Sequence, residues 1–457
     1  MYKVLILAKY FAPQQGIGSV RWTKIAKYLT KLGGYDISLL TETRNFYDKN
    51  SLIHLSKKDE LLERDLKYIS HCYEVRLNLL LKLYYTLRKR FQRSRKYGGP
   101  STEVIHERPV TLAKKMKKEF YIFALDILDM LWAQNIVNFC KTMNLQAYDV
   151  IISSNGPFWS SIAAGRLKKE NPKIVWIADF RDPYACEEDT PLSYQRHKRN
   201  LYKYCKNADV ILRASSRMKT NTPSYVPRET ITNGYDFEEC LPPLKSDRFC
   251  IVYTGTMYPA NNMKPVCRAI RELTAENRLD RNDISIDFFG EGGFMAEKQA
   301  AEEGVSEIFH DHGLVSRSAV LEKQRSAAIL LQMSRNTRYQ KIDWTGKMYE
   351  YMMMKKPVIY TLSGDVAYSY PSRHMNQLGG CCYETCRDSE TFPYLKSYIL
   401  QKYEEWKAQG YTSVTRDESY VLQYSYAEIA KKMDAVIQRH LNKDEMHERD
   451  ICNCAGI

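Results

Sequence analysis

The chain has 457 residues, a length that favours two domains over one, and its 44% hydrophobic content is enough for ordinary globular cores. Its 68 Lys and Arg residues against 54 Asp and Glu leave a net charge of +14, which calls for an anionic partner: nucleic acid, an anionic membrane surface or a phosphorylated substrate. The 12 cysteines are scattered without paired C-x2-C motifs, so they read as free thiols of a reducing compartment and argue against a zinc site or a disulfide frame.

The apolar run of Met1 to Ala8 is too short for a signal peptide, and no small-residue cleavage site follows it. No stretch approaches about 18 uninterrupted apolar residues, so the chain is expected to be cytoplasmic and not membrane-spanning. Lys3 to Ala8 reads as a buried strand, Tyr10 to Ser19 as a loop with Gly16 and Gly18, and Val20 to Leu32 as a helix ended by Gly33-Gly34. Tyr35 to Thr41 is the next strand. Together they make a β-loop-α-β unit, which implies a parallel sheet and a right-handed crossover. The glycine loop lies at the carboxyl end of the first strand, where open α/β sheets place ligands. It is not G-x-G-x-x-G, and a tight turn would also account for it.

Residues 44–120 read as an insertion. Leu77 to Leu87 is apolar and aromatic, and it runs into Arg88-Lys89-Arg90, Arg93 and Arg95-Lys96, with a second basic cluster at Lys114-Lys115 and Lys117-Lys118. Such a stretch reads as an interfacial helix on an anionic leaflet or as a solvated basic face. Nucleic acid is not the expected partner, because nothing resembles a base-reading module. Asp126 to Cys140 is helical, Tyr148 to Ser153 a strand running into a polar turn at Asn155-Gly156-Pro157, and Ser160 to Lys169 helical. The strand from Lys173 to Ala178 delivers Asp179-Phe180-Arg181-Asp182-Pro183 to the same sheet edge, either as a site or as a structural Asp–Arg pair. Ala208 to Ala214 is a further strand, Thr230 to Asp236 a short strand and turn, and Phe237 to Ser246, with Pro242-Pro243, an interdomain linker.

A second β/α array starts at Phe249 to Thr256. Helix from about Lys264 to Glu276 follows, then the strand Ile284 to Phe289 ending in Gly290-Glu291-Gly292-Gly293. Next come helix Ala296 to Glu303, the short strand Ile308 to His310, helix Ser316 to Ser326 and strand Ala327 to Gln332. Thr345 to Tyr360 then reads as a loop, a short helix and a buried strand. Thr345 is placed to cap the helix. Gly346 and Lys347 lie in its first turn, where free N–H groups and the helix dipole favour an anion. Glu350, three residues on, can share a face with Lys347. A phosphate at one end and hydroxyls at the other, as in a nucleotide sugar, suits this arrangement. Pro357 is expected to stop the helix. The cleft between the two arrays is the default binding site. Tyr424 to Leu441 is a last helix, followed by a charged, loose tail.

These pieces resemble the family 4 glycosyltransferases. Tyr10-Phe11-Ala12-Pro13 with Gly16-Ile17-Gly18 is similar to that family's Y-F-P-P-x-x-G-G opening. Asp179 to Pro183 resembles the D-x-R-D-x-W segment of members that assemble cell-surface polysaccharides. Asn233-Gly234-Tyr235-Asp236 resembles the N-G-x-D turn, Tyr253-Thr254-Gly255 the Y-x-G strand, Gly290-Glu291-Gly292 the G-x-G-P turn, and Lys347 to Ile359 the K-x-x-E-Y-x-A-x-G-K-P-V-I segment. The resemblance implies a GT-B α/β fold, two Rossmann-like β/α/β domains facing each other across a cleft. The expected acceptor domain spans residues 1–240 with the basic insertion at about 44–120, and the donor domain 248–415. A C-terminal helix at 416–441 would pack back on the first domain, leaving a tail at 442–457.

The implied activity is retaining sugar transfer from a UDP- or GDP-linked donor, with no metal and no cofactor, to a lipid-linked saccharide in surface polysaccharide synthesis at the inner membrane face. Lys347, Glu350 and Lys264 are the implied catalytic residues. The implied donor site comprises Gly16, Gly18, Gly255, Gly290, Arg335, Thr345, Gly346, Lys347 and Glu350, and the implied acceptor residues are Asp179, Arg181 and Asp182. The pattern departs from the family in two places. The first glutamate of Glu-x7-Glu falls at Ile342, with Asp343 the nearest carboxylate. The arginine after Y-x-G is Thr256, and the matching lysine position is Asn262; Lys264, Arg335, Arg338 and Lys347 are left to supply the charge. A GT-B nucleotide-sugar 2-epimerase and a non-catalytic sugar-nucleotide-binding partner subunit are the alternatives. The epimerase would need clustered acid–base groups, and among the histidines only His310 and His312 cluster.

Overall fold

The computed structural model describes residues 1–49, 51–53, 56–93, 112–186, 189–240, 242–338 and 343–454. Ile342 and the basic residues Arg95 and Lys96 lie outside them. The chain divides into two compact units, Met1–Thr232 with Ile429–Ile457, and Asn233–Glu428.

The first unit contains β1 (Tyr2–Leu7), α1 (Ile17–Leu32), β2 (Tyr35–Glu42), α2 (Glu60–Glu63), β3 (His71–Val75), α3 (Leu79–Arg93), α4 (Leu112–Cys140), β4 (Val150–Asn155), α5 (Trp159–Glu170), β5 (Val175–Phe180), α6 (Pro191–Cys205), β6 (Val210–Arg213) and β7 (Arg228–Thr230). Its seven strands lie in the order β3-β2-β1-β4-β5-β6-β7, with every neighbouring pair parallel. Both β2 and β4 flank β1, so the winding reverses there and leaves a crevice at the strands' carboxyl ends. The core is laid down by continuous apolar strands and by Trp22, Trp132, Trp159 and Trp176, all fully buried. Such strands are the pattern of a sheet covered on both faces.

The insertion contains a strand that alternation does not reveal. β3, His-Cys-Tyr-Glu-Val, is an edge strand whose first residues are exposed or half-buried, so no apolar run marks it. Among the described helices, α4 is long and apolar enough from Met116 to Cys140 to cross a membrane. Its second half instead fills the unit's core with Leu128, Trp132, Ala133, Ile136 and Val137.

The second unit contains β8 (Phe249–Thr254), α7 (Lys264–Ala275), β9 (Ile284–Phe289), α8 (Gly293–Glu302), β10 (Phe309–Asp311), α9 (Arg317–Ser326), β11 (Ile329–Arg335), α10 (Gly346–Met354), β12 (Val358–Ser363), α11 (Tyr370–His374), β13 (Cys381–Glu384), α12 (Asp388–Gln409) and α13 (Glu418–Leu422). Its six-stranded parallel sheet has the order β10-β9-β8-β11-β12-β13, which repeats the winding of the first and puts the reversal between β8 and β11. β13 carries Cys381 and Cys382, both free thiols inside a buried strand. α14 (Tyr426–Cys454) follows, and from Ile429 on it belongs to the first unit. There Asp434 accepts from the Tyr35 hydroxyl, and Gln438 Nε2 lies 3.2 Å from the same oxygen.

Candidate functional site

In the second unit, the reversal point is shaped by two glycines. Gly255 leaves β8 at φ +123°, and its N–H donates to Phe289 O at 2.7 Å. Gly290 leaves β9 at φ +152°, and a Cβ there would overlap the Gly255 carbonyl. Both conformations fall where L side chains are strained, and the backbone-on-backbone contact leaves no room for one.

α10 faces this edge with its positive pole. Thr345 takes the N-cap position, but its side chain makes no capping bond, contrary to expectation, and its Oγ1 is buried. The helix ends with Lys355 in the left-handed conformation at φ +52°, two residues before Pro357. From the first turn, Lys347 donates to the Tyr253 hydroxyl at 3.0 Å and holds its ammonium 4.4 Å from the centroid of the same ring. The Tyr253 hydroxyl donates in turn to Thr256 O at 2.8 Å. Lys347 has room for this only because residue 255 has no side chain: a Cβ on Gly255 would overlap Nζ and Cε. Burial lowers the Lys347 pKa to about 8, against the opposing pull of Glu350.

Glu350, one turn on, is fixed on both oxygens. Oε1 accepts from Gln324 Nε2 at 2.6 Å, and Oε2 lies 3.2 Å from Arg317 NH1. Neither partner was among the sequence-predicted residues. Arg335 is exposed at the end of β11, and Gly346 is the first residue of α10. Lys264 does not join this cluster as expected. It forms an ion pair with Glu302 at 2.6 Å, with both side chains more than a third exposed, because α7 and α8 lie side by side there. His312 is likewise engaged elsewhere, 2.6 Å from Asp287 and stacked on Phe289.

In the first unit the carboxyl ends of β1, β2, β4 and β5 border a cavity of about 1260 Å³. Its walls include Lys9 and Tyr10 after β1, Glu42 at the end of β2, Asn155 and Gly156 after β4, and Arg181 and Asp182 after β5. α4 contributes Asp126 and Asp129. Lys9 and Glu42 pair at 2.6 Å. Asp129 accepts the Phe158 N–H at 3.1 Å, and burial raises its carboxyl pKa to about 7, with Asp126 and Glu42 adding to the shift. Asp126 is held by Arg196 at 2.6 Å and by His197 at 3.2 Å. Two buried polar atoms on the wall, Glu42 Oε2 and Asn155 Oδ1, have no hydrogen-bond partner among the described residues, while His197 Nδ1 lies 3.6 Å from Asp189. Buried polar groups are ordinarily satisfied, so Glu42 and Asn155 offer binding capacity to a ligand rich in hydroxyl groups.

The predicted acceptor residues part company. Asp179 is fully buried and receives Arg21 Nε at 3.0 Å, Arg21 NH2 at 2.7 Å and Trp22 Nε1 at 2.7 Å. It is a structural anchor of α1 on the sheet, with no face left for an acceptor. Arg181 is half-buried. It donates to the Asn155 and Gly156 carbonyls and lies over the Tyr10 ring, where side chains on Gly18 or Gly156 would collide with it. Asp182 is exposed at the cavity wall, and Gly16 is the N-cap of α1 at φ +130°.

No protein-family model and no curated protein matches the chain. Solved structures do. The lipopolysaccharide outer core galactosyltransferase WaaB matches at 13% identity and TM-score 0.53, over 96% of this chain and 99% of that one. Sucrose-phosphate synthase from Thermosynechococcus elongatus matches at 11% and 0.56, over 96% and 99%. S. aureus TarM, in complex with fondaparinux, alpha-GlcNAc-glycerol and UDP, matches at 10% and 0.54, over 96% and 100%. The chain has the two-domain, Rossmann-like α/β fold of these GT-B structures.

Proposed function

We propose that the chain is a glycosyltransferase of cell-surface polysaccharide synthesis that moves a sugar from a UDP- or GDP-linked donor to a lipid-linked saccharide. The observation that carries this reading is the Lys347–Glu350 pair at the reversal point of the second sheet. The ammonium of half-buried Lys347 and a helix N-terminus meet there, one turn from a carboxylate held by the Gln324 amide and paired with Arg317. The diphosphate binds at Lys347 and the first turn of α10, and Glu350 accepts the ribose hydroxyls. Positive charge at the departing diphosphate stabilises the negative charge that develops as the glycosidic bond to phosphate breaks. The acceptor sugar takes the cavity of the first unit, where Asn155 Oδ1 and Glu42 Oε2 meet its hydroxyls.

The transfer retains anomeric configuration, with the departing phosphate taking the acceptor hydroxyl's proton. Support for a membrane-borne acceptor comes from the first unit's insertion. Leu79, Leu80, Leu83 and Leu87 are exposed on α3, and Met116, Phe120 and Phe123 on α4, with Lys82, Lys117 and Lys118 exposed among them. A screen of UDP- and GDP-sugars by calorimetry, followed by NMR of the product's anomeric proton, tests the reading. Binding of one donor class and an unchanged anomeric configuration are expected; inversion would discard the mechanism, and failure to bind any nucleotide sugar would discard the assignment.

A further inference from the structure

Gln324 is fully buried on α9 and uses one amide nitrogen twice, donating to Glu350 Oε1 at 2.6 Å and to Thr254 Oγ1 at 2.9 Å. The direction of this network is fixed from its far end. Tyr351 donates its hydroxyl proton to the Leu331 carbonyl at 3.1 Å, so at the 3.3 Å contact between Thr254 and Tyr351 the threonine must be the donor. Thr254 Oγ1 is then left to accept, and Gln324 must present its NH2 group to it. The same NH2 group meets Glu350, and an ionised carboxylate is acceptor-only, so the network is consistent with a charged Glu350. Gln324 Oε1 is left buried without a partner, which is what a side chain committed to its nitrogen contacts would show.

Arg317, seven residues earlier on α9, holds the other oxygen, Oε2. Oε1 therefore has one hydrogen-bond donor and Oε2 one ion-pair neighbour, and each oxygen keeps acceptor capacity for at least one more hydrogen bond. Two hydroxyl groups on adjacent carbons would fill one position on each oxygen. A ligand with a single hydroxyl would leave one unused.

We infer that Gln324 and Arg317 are positioning residues that aim Glu350 at a vicinal diol and so make the site selective for ribonucleotides over 2′-deoxyribonucleotides. The inference rests on the reading of Glu350 as part of the donor site. A site built to bond a hydroxyl discriminates strongly against the analogue that lacks it, because its own polar groups are then left unpaired.

The test is calorimetric titration with UDP, 2′-deoxy-UDP, GDP and 2′-deoxy-GDP of the full chain and of Gln324→Leu, Arg317→Met and Glu350→Gln, with thermal melts to confirm folding. The wild type is expected to prefer the ribose form of the base it binds by about tenfold or more. Gln324→Leu and Arg317→Met are expected to bring that ratio down several-fold by weakening the ribose form while the deoxy affinity stays put. A loss of packing alone would weaken both forms in proportion. If both variants keep the wild-type ratio while Glu350→Gln abolishes it, the positioning role is wrong and the donor site stands. If the wild type shows no preference, or binds neither nucleotide, the donor reading itself fails. Should Gln324→Leu not fold, the partly exposed Arg317→Met decides.

Discussion

Lys347 occupies the space that a side chain at position 255 would need. The glycine after β8 and the lysine of α10 are 92 positions apart in the chain, and each is intelligible only through the other. Gly255→Ala is therefore expected to do two things at once. Forcing a β-carbon onto φ +123° costs roughly 1–3 kcal/mol, and the new methyl pushes Lys347 off Tyr253. Nucleoside diphosphate affinity should fall about tenfold or more, the order expected for one charge-assisted bond. Gly304→Ala is the control, since φ there is +70° but a Cβ would meet nothing within 4 Å. It should lower the melting temperature with little change in affinity.

The depressed Lys347 pKa gives donor binding a pH signature. Its folded value, about 8, lies below the ordinary lysine value because burial disfavours the charged form. An arriving diphosphate favours that form and draws in a proton. Calorimetry at pH 8.5 in buffers of different ionisation enthalpy should register proton uptake, and affinity should weaken as pH rises above about 8. In Lys347→Arg, which stays charged, the uptake should vanish. A binding enthalpy that is the same in every buffer would contradict this.

Asp179 and Arg181 are two residues apart and differ in kind. Asp179→Ala leaves the buried Arg21 guanidinium without its carboxylate, a change that typically costs about 3–5 kcal/mol. Denaturant melts should show that loss. Arg181→Ala removes a half-buried side chain at the cavity wall and should cost under about 1 kcal/mol of stability while impairing acceptor use.

Asp129 should make stability fall with rising pH. Its folded pKa, about 7, stands above the ordinary carboxylate value, so the folded chain binds the extra proton between roughly pH 4 and 7. The stabilisation that proton gives is lost as pH rises through 7. Asp129→Asn can still accept the Phe158 N–H, so it should melt higher than wild type at pH 8, by about 1–3 kcal/mol, with the difference shrinking towards pH 4. An equal difference at both pH values would show that burial is not the cause.

The fold was legible where side chains are buried on both faces of the sheet. Val4 to Ala8, Val150 to Ser153 and Ile329 to Gln332 are near-continuous apolar runs, and each is a central strand. β3 and β7 were misjudged or missed because edge strands expose one side, and short polar segments carry no period. That Lys347 lies in the first turn of α10 with Glu350 one turn on could be read from helix position alone. Gln324 could not, because a glutamine on a half-polar helix gives no sign that it will be fully buried against a carboxylate. The cavity of the first unit had a partial signal: Lys9, Glu42 and Asn155 all fall at strand ends, and Asp126 and Asp129 lie one turn apart on α4. Their convergence depends on the strand order, which local patterns do not supply. Asp179 misled for the opposite reason. A carboxylate at a strand end looks like a ligand group until the arginine of α1 is seen to cover it.

The most direct measurement is the release of nucleoside diphosphate by the purified chain from a panel of UDP- and GDP-sugars, with and without a polyprenyl-linked saccharide mixture. Wild type, Lys347→Ala and Glu350→Gln should be assayed side by side. Acceptor-dependent release from one donor class is expected, falling by about a hundredfold or more in both variants, the scale seen when one group that stabilises developing charge is removed. Release that survives both substitutions unchanged, or none from any donor in the wild type, would contradict the assignment of Lys347 and Glu350 to the donor site of a glycosyltransferase.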